Sequence, residues 1–199
     1  GAEEDFERVL TLAPGDLEAQ ISLVETRLAR GDRHGAATAA LDLVARHPDR
    51  PDVWLVAADA QAALDAPAAV RDLQDRGIDR HPDVPELYAE RAEWRLGVGL
   101  NQLAMRDARW AVELDPDDVE AHVLAARAAI EVGDGTEALA DLDMALEMQP
   151  EHGQALAWRG RALAVEGDRE AAEASWARAE AVLPADDPLR DAIATWRRQ

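Results

Sequence analysis

The sequence predicts an all-α chain of repeated helix pairs, an α-solenoid, and three observations predict it. Pro14, Pro48, Pro82, Pro116, Pro150 and Pro184 recur every 34 residues, the length of a helix-turn-helix repeat. With each closing proline set as repeat position 32, position 20 reads Ala36, Val70, Ala104, Ala138 and Ala172, and position 8 reads Val24, Ala58, Ala92, Ala126 and Gly160. Small side chains thus recur where two helix backbones must approach closely. Position 15 reads Gly31, Asp65, Gly99, Gly133 and Gly167, and glycine there supplies the left-handed conformation that ends a first helix.

On this register full repeats occupy 17–50, 51–84, 85–118, 119–152 and 153–186, each a helix A, a turn and a helix B. Residues 1–16 hold a partial repeat: 2–12 match a helix B without its helix A, with Ala2, Phe6 and Val9 at positions 20, 24 and 27, so the chain is expected to begin inside a repeat, as a fragment. In the second repeat Asp65 replaces the turn glycine, and Pro67 follows at the first turn of helix B. Gly77, at position 27 of that repeat, costs its helix roughly 1 kcal/mol in propensity, and this repeat is expected to be the least rigid. Position 4 reads Gln20, Trp54, Tyr88, His122 and Leu156, and position 7 reads Leu23, Ala57, Arg91, Ala125 and Arg159. Residues 187–199 close the chain with a capping helix: Pro188 sits near its N1 position, Leu189, Ile193 and Trp196 form its apolar stripe, and Arg197 and Arg198 suit the negative end of its dipole. Such a helix caps a solenoid.

The residues filling each period resemble the tetratricopeptide (TPR) repeat, whose pattern runs W-x2-L-G-x2-Y, then A-x3-F, then a closing proline. The resemblance covers nearly the whole chain. It implies a right-handed superhelix in which helix A lines a concave face and positions 2, 5, 6, 9, 12 and 13 point toward ligand. Position 2 reads Glu18, Asp52, Glu86, Glu120 and Gln154; position 9 reads Glu25, Asp59, Glu93, Arg127 and Arg161. Acid at position 2 also has a structural reason, because a carboxylate in the first turn meets the positive end of the helix dipole. Position 9 is mid-helix, so the dipole explains nothing there, and its change of sign at Arg127 and Arg161 is the more informative part. Beside those arginines position 6 carries Leu124 and Trp158 and position 5 carries Val123 and Ala157. An exposed Trp beside Arg is hot-spot chemistry; the alternative is that Trp158 packs into the neighbouring helix. The partner-binding set is therefore Glu18, Glu25, Asp52, Asp59, Glu86, Glu93, Arg127, Trp158 and Arg161. A two-carboxylate clamp for a C-terminal Glu-Val-Asp tail is not expected, since it needs Lys and Asn at positions 5 and 9, where the first three repeats have Ile21, Glu25, Leu55, Asp59, Ala89 and Glu93.

Composition narrows the function. The net charge is -20, which repels phosphate backbones and anionic lipid and steers basic partners in; the same charge keeps an extended repeat array soluble. No nucleic acid is expected as a partner. No run of about 18 apolar residues exists to cross a membrane, and no charged-then-apolar leader precedes the first repeat, although a targeting segment upstream of the start is left open. The chain has no cysteine, which excludes disulfides and thiolate chemistry and leaves the compartment, cytoplasm or periplasm, undetermined. Every basic residue is Arg, the coding bias of a GC-rich bacterium.

No catalytic set emerges. Only Ser22 and Ser175 offer hydroxymethyl nucleophiles, neither in a G-x-S-x-G elbow, and His34, His47, His81, His122 and His152 do not cluster at metal-ligand spacing. His47 and His81 share repeat position 31, which is loop chemistry repeated. No cofactor or metal is expected. The reading is a non-enzymatic scaffold that holds a partner's basic segment. Its alternatives are a homo-oligomer assembled through complementary half-repeat ends and a non-catalytic arm of a larger protein.

Overall fold

The computed structural model describes residue 13 and residues 15–198. Among them are eleven helices and no strand: α1 Leu17–Ala29, α2 Arg33–Arg46, α3 Pro51–Ala62, α4 Pro67–Arg80, α5 Pro85–Gly97, α6 Asn101–Leu114, α7 Val119–Val132, α8 Gly135–Met148, α9 Gly153–Val165, α10 Arg169–Val182 and α11 Pro188–Trp196. The odd-numbered helices from α1 to α9 begin at Leu17, Pro51, Pro85, Val119 and Gly153, each 34 residues after the last, and the even-numbered ones from α2 to α10 keep the same interval. The unpaired helix expected over 2–12, and with it one half of the end-to-end assembly reading, lies outside the described residues, as does Pro14.

The turn chemistry sets these boundaries. Gly31, Gly99, Gly133 and Gly167 carry φ of 83°, 77°, 85° and 89°, and Asp65 takes the same role at φ 54°, a conformation Asp tolerates better than most side chains. Asp32, Asp134 and Asp168 then cap α2, α8 and α10, each accepting from the backbone N–H three residues on, at about 1 kcal/mol per cap. Neither α4 nor α6 has such a cap: Ala66 and Leu100 stand at their N-caps, and Pro67 opens α4 in compensation.

The chain divides into two compact units, 1–87 and 88–199, the boundary falling in the first turn of α5. In the first unit Val24, Ala36, Ala40, Leu43, Val53, Ala57, Val70 and Leu73 are buried. Gly77 sits in a tight place there, where a Cβ would meet the Trp54 Cβ at 3.1 Å. The Trp54 indole donates to the Pro48 carbonyl at 2.9 Å, and the His81 ring donates to the same oxygen at 3.0 Å.

In the second unit Val123, Ala126, Ile130, Leu142 and Ala145 form one core, and Leu156, Trp176, Ala179 and Ile193 form another. A Cβ on Gly160 would overlap the Trp176 indole, which donates to the Ala157 carbonyl at 3.1 Å. The variety at position 4 gains a reason: like Trp54, buried His122 reaches the carbonyl of the preceding closing proline, with Nε2 3.1 Å from Pro116, while its Nδ1 lies 3.0 Å from Asp141. The position 7 arginines have carboxylate partners. Asp107, fully buried, accepts two hydrogen bonds from Arg91 at 2.8 and 2.9 Å and one from Arg95 at 2.5 Å, and Arg159 donates to Asp143 at 2.7 Å. The closing helix α11 buries Ile193, and Arg197 joins it to α10 through Glu173 and a two-pronged pair with Glu180.

Candidate partner-binding site

In the first unit the acidic candidates fall into two settings. Glu18 and Asp52 accept from one guanidinium, that of Arg50, at 3.0 and 2.5 Å; these bonds, Asp52's first, raise the Arg50 pKa above its ordinary value. Position 2 acid here ties one repeat to the next. Glu25 and Asp59, one repeat apart on α1 and α3, have no such cation among the described residues. Asp59 is exposed as a residue, yet its carboxyl group lies low enough among packed side chains that desolvation raises its pKa above 3.8, with the charge of Glu25 adding to the effect. Glu86 is exposed in the first turn of α5 and joins neither group.

In the second unit Glu93 and Arg127, 34 residues apart, form a 2.9 Å ion pair. The Arg127 guanidinium lies over the Trp158 ring at 5.4 Å, Trp158 and Trp196 meet at 4.8 Å with planes tilted by 49°, and Arg161 lies over Trp196 at 6.0 Å. Trp158 is half-buried. Position 9 therefore joins acid to base instead of leaving an unbroken acidic row, and Arg161 is drawn to Trp196, not Trp158.

Two open clefts share Glu93 and Arg127. One, of about 450 Å3, has Leu96 and Trp158 as apolar walls with Glu131 beside them. The other, of about 280 Å3, has Val123 and Leu124 beneath Glu90, Asp118 and Glu120. Every lining residue except Asp118 and Ala121 stands at a repeat position that the TPR resemblance assigns to ligand, and all but Asp118 lie on α5, α7 or α9. Of the carboxylates, Glu120 accepts from Nε2 of His152, whose Nδ1 accepts from the Ala155 N–H. The Arg127 Nε is buried without a hydrogen-bond partner. Arg50, His152, Glu131 and Trp196 were not in the partner-binding set expected from sequence. Arg50 and His152 share repeat position 34, beside the position 2 acids, and that recurrence was the available signal.

Successive helix pairs at a fixed interval, with clefts along their first helices, define an α-solenoid repeat protein. The tetratricopeptide repeat family model matches residues 21–85 and 123–188, and the chain belongs to that family. No curated protein matches the chain. Among solved structures, MamA 41-end from Desulfovibrio magneticus RS-1 is similar at 16% identity, with 87% of this chain and 98% of that one covered and a TM-score of 0.71. A MamA crystal structure is similar at 15% identity over 87% and 97%, with a TM-score of 0.68. YrrB, described as a TPR protein with an unusual peptide-binding site, is similar at 17% identity over 96% and 98%, with a TM-score of 0.67. At these identities the likeness is one of fold.

Proposed function

We propose that the protein is a non-enzymatic interaction module whose first-helix face holds a partner segment carrying basic side chains next to large apolar ones. The observation that carries this reading is the lining of the paired clefts. Glu90, Glu93, Asp118 and Glu120 surround the smaller cleft with Arg127 as the one cation among its described lining residues, over Val123 and Leu124, and Leu96 and Trp158 wall the larger. A lysine or arginine of the partner meets carboxylates there while its apolar neighbour enters the wall. In the first unit the Glu25 and Asp59 pair is a second cation-favouring point, since an incoming positive charge relieves their mutual repulsion. The peptide-binding description of YrrB accords with such a role. Among the described residues no group of three or more His, Asp or Glu could hold a metal ion, and no described helix is long and apolar enough to cross a membrane.

The test is fluorescence anisotropy of a labelled peptide alternating Lys and Leu, against the same peptide with Glu for Lys, across a salt series. The reading requires preference for the Lys peptide, weakening with salt, and loss of that preference in the Glu93→Gln, Glu131→Gln double variant. Equal binding of the two peptides, or a preference that survives the double variant, contradicts it.

A further inference from the structure

We propose that Arg127 is a latch on the clefts: it rests on the two groups that receive the partner, and a bound segment displaces it toward Glu131. The inference rests on the partner-segment reading above. That reading gives the Glu93 carboxylate to the partner's cation and the Trp158 wall to its apolar neighbour, yet one side chain of the protein itself already holds both. Arg127 Nη1 donates to Glu93 at 2.9 Å, and the same guanidinium lies 5.4 Å from the centre of the Trp158 ring. A carboxylate and an indole face each attract a cation, and here a cation of this chain fills the place.

The contact is built to be broken. The Glu93 side chain is half-exposed, so water competes for the ion pair and it holds the guanidinium weakly. The Arg127 Nε is buried with no hydrogen-bond partner, and a buried donor left unmade works against the position that buries it. A second seat lies within reach. Glu131 stands four residues further along α7, on the same face, and lines the larger cleft beside Arg127. It is exposed, its carboxylate has no ion pair among the described residues, and it sits in the last turn of α7, where the negative end of the helix dipole opposes its charge. An arriving guanidinium relieves that opposition. Trp158 keeps Trp196 as a neighbour, with ring centroids 4.8 Å apart, so the wall stays formed when Arg127 leaves it.

The latch sets what the clefts accept. A segment that offers only a lysine, or only a leucine, breaks both contacts of Arg127 and replaces one of them. A segment that offers the two side by side replaces both. Affinity is lowered for every segment by the fraction of molecules in which the seat is open, and removing Arg127 lifts that reduction.

The test uses the full chain, the labelled Lys and Leu peptide, and two readouts. By anisotropy, Arg127→Ala should bind the peptide about fivefold more tightly, with the gain persisting at higher salt; Arg127→Gln, which keeps more of the stem, should do the same. Arg159→Gln removes an equal charge from α9, where Arg159 pairs with Asp143 and lines neither cleft, and should leave affinity within about twofold. By NMR, the Arg127 Nε–H signal, assigned by its loss in Arg127→Ala, should be protected from water exchange before peptide is added and lose that protection at saturation. Arg127 variants that bind no more tightly, a gain matched by Arg159→Gln, or an Nε–H that stays protected at saturation would each overturn the latch and leave the partner reading in place. If neither the parent nor the Arg127 variants prefer the Lys peptide to its Glu counterpart, the partner reading fails and the latch with it. Preference that emerges only once Arg127 is replaced supports both.

Discussion

Arg127 and Glu93 are joined across one repeat interval by a 2.9 Å ion pair, and the same guanidinium covers Trp158 at 5.4 Å. The Glu93 side chain is about half exposed, so the pair contributes at most about 1 kcal/mol to folding. Glu93→Gln should therefore leave the melting point nearly unchanged while slowing association of a basic peptide and flattening its salt dependence, read by stopped-flow. Trp158→Ala should instead raise the dissociation rate, at a cost on the order of 2 kcal/mol in affinity.

Asp59 gives a pH-dependent prediction. Burial and then Glu25 raise its folded pKa above 3.8, so the charged carboxylate opposes folding near neutral pH. The penalty is lifted as pH falls through the raised folded pKa and is gone below the unfolded value. Asp59→Asn should stabilise the protein near neutrality in urea unfolding, with the gain shrinking toward zero below 3.8. A gain that grows on acidification would reverse the assignment.

Asp107 is the counter-charge for two mostly buried guanidiniums, Arg91 and Arg95. Asp107→Ala removes the buried counter-charge of both and should cost about 3–5 kcal/mol, whereas replacing all three by apolar residues of similar volume should recover much of that loss. Thermal melts of the single and triple variants compare the two.

Leu100 stands where Asp caps other helices. Leu100→Asp should add about 1 kcal/mol of stability and raise Tm by a few degrees in thermal melts.

The proline interval gave the helix starts because each repeat reuses the same turn chemistry: Gly31, Gly99, Gly133 and Gly167 take positive φ, Asp65 substitutes for them, and Pro67 and Pro188 open their helices. What stayed hidden was pairing between repeats. A repeat position tells which face a side chain occupies, not which neighbour meets it. Position 9 places Glu93 third in an acidic row, yet Arg127 pairs with it, and position 7 places Arg91 where other repeats have Leu23 and Ala57, yet Asp107 stands opposite it. Gly77 reads from sequence only as a loss of helix propensity, because the Trp54 side chain that crowds it lies in another helix. Trp158 fell between its two alternatives: it packs on Trp196 and still walls a cleft.

The central claim is that the α5, α7 and α9 face selects a basic, apolar segment, and selection of a random peptide library against the immobilised protein tests it most directly. The account predicts enrichment of Lys or Arg next to large apolar residues among peptides whose binding is lost in Glu93→Gln with Glu131→Gln and reduced in Trp158→Ala. Enriched peptides that lack basic residues yet depend on those same three side chains, or a library in which no binder responds to them, would contradict it.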